Sequence, residues 1–293
     1  MADEIVLGLD SVVVRVAGER PLVLTVNGEE PRLPAAPFDP VRDRTLELAA
    51  RRSIVEQVGF EVGYLEQLYT FGDRNRDPRE VTGGPRYVTV GYLALTGAER
   101  PANAAADWYD WYEFFPWEDR RTGRPAVLDA QIVPLVRAWM TDRERQLRAT
   151  AAFALDEAPW NDEAVLERYE ILYEIGAVAE APHATRALGR AMALDHRRIL
   201  ATAIGRLRGK IKYRPVIFEL LSETFTLWEL QRAVEALAGM RLHKPNFRRL
   251  VEESGIVVGT GDRRATSGRP AETYRFRPEV IAERPDPGIA IRR

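Results

Sequence analysis

An α/β domain on a mixed sheet, carrying a helical segment and followed by a small helix–turn–helix module with a β-hairpin, is the architecture this sequence predicts. Three observations predict it. Strand-like runs bounded by turn residues surround one amphipathic helix in the first 95 residues. Ala-, Leu- and Arg-rich helical periodicity dominates residues 126–210. From Phe225 onward, two capped helical segments precede a pair of short strands. At 293 residues the chain is long enough for two hydrophobic cores.

The elements follow in order. Ser11–Val16 and Leu22–Val26, joined at Gly18-Glu19, read as a β-hairpin. A Pro-rich stretch from Pro31 to Pro40 leads into a helix from about Asp43 to Val58, closed by Gly59. Strands are expected at 62–70 and 86–95, with a polar loop between them. Residues 104–121 are crowded with Trp108, Tyr109, Trp111, Tyr112, Phe114, Phe115 and Trp117, a density expected of core or subunit interface rather than a ligand cage. The helices beyond are broken near Ala177–Ala184.

Composition narrows the function classes. Apolar content of 45% and charged content of 29% fit a soluble globular protein. With no cysteine there is neither a disulfide framework nor a thiolate metal site. The start, Met1-Ala2-Asp3-Glu4-Ile5, lacks a basic and apolar leader, and no apolar run approaches membrane-spanning length. A cytoplasmic protein with no membrane partner is therefore expected. Charge is unevenly spread: residues 206–277 hold 15 Lys and Arg against 8 Asp and Glu, so within a chain of net −2 this stretch carries +7 and the rest −9. A basic module on an acidic body suits a polyanion partner for that module.

Thr226 and Glu229 have the spacing of a capping box, with Phe225 placed to staple onto Leu230. Leu227, Leu230, Val234 and Leu237 form one buried stripe, and Gly239 ends the helix. Pro245 opens the next helix, whose Phe247, Leu250 and Val251 face inward. Asn246, Arg248, Arg249 and Glu252 are left outward, side chains suited to the major groove of DNA. After Gly255, Ile256–Val258 and Thr273–Arg277 make a hairpin whose loop carries Arg263, Arg264 and Gly268-Arg269-Pro270. This is the layout of a winged helix-turn-helix. Thr226, Lys244, Asn246, Arg248, Arg249, Arg263, Arg264 and Arg269 are its candidate DNA-binding residues, the last able to hold phosphate or enter the minor groove.

Leu48–Phe60 resembles the signature helix of the Nudix hydrolases. Arg52, Ile54, Glu56, Gly59 and Phe60 match its pattern; Phe38 and Arg44 stand where an early Gly and Glu belong, and Ser53 and Gln57 replace two glutamates. Positions 53, 56 and 57 share one helix face. In the family such carboxylates hold a divalent metal against a diphosphate, a task a hydroxyl and an amide do poorly. Tyr64–Asp73 and Arg76-Asp77-Pro78-Arg79 resemble the ADP-ribose-type branch. Together with the C-terminal module, the chain resembles the Nudix-related transcriptional regulators, the match covering roughly residues 10–100 and 196–277.

The resemblance implies a Nudix-type α/β/α sandwich at 1–211 with a helical insert at about 105–190, a winged helix-turn-helix at 212–280 and a tail at 281–293. It also implies a homodimeric repressor of NAD-metabolism genes. Such a protein binds a palindromic operator, senses ADP-ribose or NAD, and needs no catalytic residue, metal or cofactor. Arg52, Glu56, Gln57, Phe71, Asp73 and Arg86 are the candidate effector residues, arginines for phosphate and Phe71 for adenine. Two alternatives stay open. One is an active diphosphate hydrolase using Glu56 with Asp43, Glu47 or Asp73; the other is a sugar-responsive regulator of the same build.

Overall fold

The computed structural model describes residues 4–97, 101, 103, 105–265, 268–283 and 287–289. Its main sheet has the order β4-β5-β1-β2-β6, with β3 added on β1. The strands are β1 (Ile5–Ala17), β2 (Arg20–Val26), β3 (Ala35–Pro37), β4 (Tyr64–Phe71), β5 (Arg86–Leu95) and β6 (Ala106–Asp110). β1 and β5 run parallel from Ile5↔Arg86 to Val14↔Leu95, while β2, β3, β4 and β6 pair antiparallel with their neighbours. Alternate side chains of β1 and β5 enter opposite layers, so both faces are buried and the strands read as continuous apolar runs. Leu9, Val13, Val90, Tyr92 and Ala94 pack under helix α1 (Leu46–Val58). Val12, Val14, Leu93 and Leu95 face the helices of the other layer.

Helix α1 starts three residues later than expected, because Thr45 rather than Asp43 caps it, accepting from the Leu48 amide at 3.1 Å. Gly59 ends it in the left-handed region at φ 83°. A short helix α2 (Pro78–Val81) interrupts the β4–β5 loop. The second helical layer comprises α3 (Trp111–Phe114), a wide turn at Leu128–Ile132, α4 (Val133–Trp139), α5 (Arg143–Phe153), α6 (Val165–Ile175) and α7 (His196–Ile211). Trp111, Phe114, Phe115 and Trp117 are completely buried, as core aromatics should be. The expected insert at 105–190 is not purely helical. Its first residues are β6, which extends the main sheet, and the expected break at 177–184 widens to the whole of 176–195.

A single-turn helix at Val216–Leu220 leads into α8 (Leu227–Ala238), α9 (Lys244–Ser254), β7 (Val257–Arg264), β8 (Ala271–Phe276) and α10 (Val280–Glu283). Both halves of the capping box form at Thr226 and Glu229. Phe225 exchanges two backbone hydrogen bonds with Tyr274, at 2.9 and 2.7 Å, which ties the β7–β8 wing to the head of α8. Phe218 stacks on Phe276 at 4.5 Å beneath it. Residues 281–293 do not form a loose tail throughout: 281–283 are helical, and the Ile289 amide donates to Ile211 at 2.9 Å with its side chain buried. Residues 284–286 and 290–293 of that tail lie outside the described residues. Among the described residues no helix is long and apolar enough to cross a membrane.

Candidate effector cavity and nucleic-acid interface

The strands and α7 enclose a cavity of about 480 Å³ between β1, β3, β5 and the residues around α2. Asp10, Arg32, Gln57, Arg76, Arg79, Tyr87, Thr89 and His196 contribute its polar lining. Arg76 is held in place: its Nε and Nη2 donate to Asp195 at 2.9 and 2.7 Å, and its Nη1 donates to Thr89 at 2.6 Å. Asp10 lies 3.6 Å from the same guanidinium, and burial raises its pKa above the ordinary carboxylate value. His196 Nδ1 accepts from the Leu33 amide at 2.9 Å, which places the ring proton on Nε2, and burial lowers its pKa. Arg79 lies over the Tyr87 ring at 4.0 Å and pairs with Asp77, whose carboxyl it holds below its usual range. The cavity thus offers arginines, a neutral imidazole donor and an aromatic face, a set that suits an anionic ligand with a ring.

Of the residues expected here, only Gln57 lines this cavity. Arg52 instead donates to both oxygens of Asp43, at 2.8 and 2.7 Å, and holds that carboxyl below its usual range. Glu56 receives Arg42 and Arg52, each at 2.8 Å. Gln57 donates to Ser53 at 2.7 Å and to the Ala35 carbonyl at 3.0 Å. Phe71 is buried in the core edge-on to Tyr69, so it cannot stack on a ligand. Asp73 is exposed, 3.8 Å from Arg198, and Arg86 donates to the Gly72 carbonyl at 2.9 Å, fastening the end of β4. Asp10, Arg32, Asp195 and His196 escaped the sequence reading. They carry no local motif, and only the fold brings positions so far apart in the chain together.

At the other end of the molecule, α9 buries Phe247 and Val251 and exposes Lys244, Asn246, Arg248, Arg249 and Glu252, the division expected from its periodicity. Beside it lies a groove of about 450 Å³ bordered by Trp228, Arg248, Arg263, Arg269 and Tyr274. Two expected DNA contacts have other duties. The Thr226 hydroxyl is taken up in the capping box with Glu229, at 3.2 and 3.1 Å. Arg264 donates to both Glu229 oxygens, at 2.8 and 2.9 Å, and to the Thr224 carbonyl at 2.9 Å, clamping the wing to the head of α8. Arg263 and Arg264 belong to strand β7, not to the wing loop.

Residues 217–276 match the family model of the NrtR DNA-binding winged helix domain. Over 244 residues the chain is 27% identical to the ADPR responsive transcriptional repressor NtrR of Acinetobacter baylyi, covering 83% of this chain and 68% of that protein. Among solved structures it is similar to Shewanella oneidensis NrtR complexed with a 27mer DNA, at 24% identity and TM-score 0.60, over 94% of this chain and 95% of that one. A MutT/nudix family protein from Enterococcus faecalis shares the fold at 18% identity and TM-score 0.58, over 94% and 90% of the two chains. The chain thus has the architecture of the Nudix-related transcriptional regulators, a Nudix-type α/β domain joined to an NrtR-family DNA-binding winged helix.

Proposed function

We propose that this protein is a cytoplasmic, homodimeric transcriptional repressor of NAD-metabolism genes that senses ADP-ribose or a close relative in the cavity beside Arg76. The observation that carries the reading is the pairing of two ends in one chain. One is a winged helix with Asn246, Arg248 and Arg249 presented outward. The other is an arginine-rich cavity in a domain of hydrolase fold. The ADPR-responsive repressor of Acinetobacter baylyi supports the choice of ligand.

This reading gives the domain sensing rather than efficient hydrolysis as its task. A Nudix-type metal site needs clustered carboxylates facing the diphosphate. Of the two carboxylates on α1, Glu56 has each oxygen bonded to an arginine and Glu47, more than two turns away, pairs with Arg51, while Ser53 and Gln57 bond to each other. Among the described residues no group of three or more His, Cys, Asp or Glu is placed to hold a metal ion. The donor set on α1 does not fit a divalent cation.

Two readers on a dimer call for a palindromic operator with half-sites about one helical turn apart. The test is fluorescence anisotropy with a duplex selected in vitro by the full chain, with and without ADP-ribose or NAD. The expected result is that one of these nucleotides changes the affinity by about fivefold or more. Unchanged affinity with both removes the sensing role. A thermal-shift screen that selects a sugar over both nucleotides moves the assignment to a sugar-responsive regulator.

A further inference from the structure

Helix α7 touches both ends of the molecule. Its N-terminal residues, Asp195 and His196, close the cavity around Arg76. Twelve residues on, about 18 Å along the helix, Arg208 donates to the Leu237 carbonyl at the end of α8 at 2.9 Å. Arg208 also reaches Glu118 at 2.6 Å and the Asp162 carbonyl at 2.9 Å, in a completely buried cluster with Arg168. The end of α8 is gripped further by Tyr112, donating to Ala236 at 2.7 Å, and by the Arg120 amide, donating to Gly239 at 2.8 Å. Gly239 sits at φ 68°, and a Cβ there would lie 2.5 Å from the Glu118 carbonyl oxygen, so the two bodies meet with no space to spare. Most of α7 between these points is buried, and close-packed interiors transmit displacement rather than absorb it.

The N-terminus of α7 carries an aspartate that does not cap it. Asp195 occupies the capping position, yet its side chain makes no capping bond. Its backbone lies at φ −101°, ψ 21°, whereas a capping aspartate is usually extended, as Asp142 is at the head of α5 with φ −138°, ψ 172°. Both of its carboxylate oxygens are bonded to Arg76 instead. An anionic ligand in the cavity competes for that guanidinium.

We propose that Asp195 is the switch and α7 the connecting rod of the sensor. Ligand phosphate takes Arg76 from Asp195; the freed carboxylate turns to the first turn of α7, where the His196 amide now donates to Ala193 at 3.2 Å and the Arg198 amide to the Asp195 carbonyl at 2.9 Å, and rearranges those bonds. The change in the first turn then travels to Arg208 and shifts α8, and with it the reading helix α9. The inference rests on the functional reading above and adds the residues through which the two sites communicate. A ligand biases this equilibrium only through its different affinity for the two arrangements, and the competition for Arg76 supplies that difference.

The experiment measures DNA affinity by anisotropy with the selected duplex, at zero and saturating ADP-ribose, on the full chain. Ligand binding to DNA-free protein is followed by calorimetry, and folding by circular dichroism. Asp195→Ala, which can neither hold Arg76 nor cap, and Arg208→Lys, which keeps a cation beside Glu118 but gives up the fork to Leu237, are compared with wild type. Glu19→Gln is the control, because Glu19 joins the first hairpin to Arg241 and Arg232 at 2.7 and 3.3 Å by a second route between the same bodies. The expected result is a wild-type affinity ratio of about fivefold or more. The ratio falls below about twofold in Asp195→Ala and Arg208→Lys and persists in Glu19→Gln; Asp195→Ala binds ADP-ribose more tightly than wild type, because nothing competes for Arg76, and Arg208→Lys still binds it. Full ratios in both α7 variants overturn the relay while leaving the sensing role intact. A ratio lost only in Glu19→Gln assigns the coupling to the hairpin and overturns it as well. Should Arg208→Lys fail to fold, Asp195→Ala alone decides. A wild type that binds ADP-ribose without any change in DNA affinity refutes the functional reading, and the relay with it.

Discussion

Asn246 and Arg249 are exposed on α9, and among the described residues only a 3.4 Å pairing of Arg249 with Glu253 engages them, so most of their hydrogen-bonding capacity is left for base edges. Asn246→Ala or Arg249→Ala is expected to cost about 1–3 kcal/mol of operator binding and to relax preference at one base position. Selection of binding sites by the two variants checks this; an unchanged consensus in both removes α9 from the groove. Arg264 makes a contrasting prediction. Its bonds run to Glu229 and Thr224 across a half-exposed clamp, so Arg264→Ala should lower folding stability by roughly 1 kcal/mol while leaving base preference unchanged. Both residues look alike in a list of basic positions near the wing. What separates them is how firmly a carboxylate holds them: Arg249 has one 3.4 Å contact with Glu253, whereas Arg264 bonds both oxygens of Glu229, and sequence distance gives no clue to a partner 35 positions away. Arg52 teaches the same lesson: its place in the family motif is intact, but it closes on Asp43 and Glu56 rather than on the cavity.

Elements with their own start and stop signals were legible from the chain. The Thr226–Glu229 box, the αL glycines Gly59, Gly239 and Gly255, and the apolar stripe of α8 all express local chemistry, and each stands where that chemistry puts it. Strand β6 was hidden, because it is only five residues long and its pairing with β2 is a long-range contact. The candidate effector cavity was hidden for the same reason: α7 supplies His196, β1 Asp10 and the β4–β5 loop Arg76, and no spacing rule joins them. The N-terminal end of α7 gives this element a pH signature. His196 is buried and neutral, with its folded pKa below the ordinary value near 6.5. Below that pH the unfolded chain binds a proton that the folded chain resists, so stability falls as pH drops. Asp10, with its folded pKa raised, acts in the opposite sense, losing stability as pH rises through its own range. Chemical denaturation from pH 7 to pH 5 should therefore show a steeper loss in wild type than in His196→Gln, and parallel curves would contradict the neutral assignment.

At the scale of the molecule, sensor and reader share one continuous core. Val12 and Leu93 of the sheet, Phe153 and Leu172 of the helical layer, and Leu230, Phe247 and Ile256 of the winged helix belong to the same buried cluster. Such continuity argues against two independently folding units joined by a linker, and it is the route the proposed relay uses. The centre of that joint is Glu118, whose side chain is completely buried between Arg168 and Arg208. Burial pushes its carboxyl up, but the two guanidinium groups outweigh that and hold it below its usual range. Neutralising it leaves two buried cations without a counter-ion, which typically costs about 3–5 kcal/mol. Glu118→Gln is accordingly expected to destabilise both halves together. Differential scanning calorimetry should show one transition in wild type and in the variant, the calorimetric and van't Hoff enthalpies agreeing, with the midpoint of Glu118→Gln clearly lower. Two separated transitions, with only the first moved by the substitution, would mean that the winged helix folds on its own and that the shared core does not couple it to the sensor.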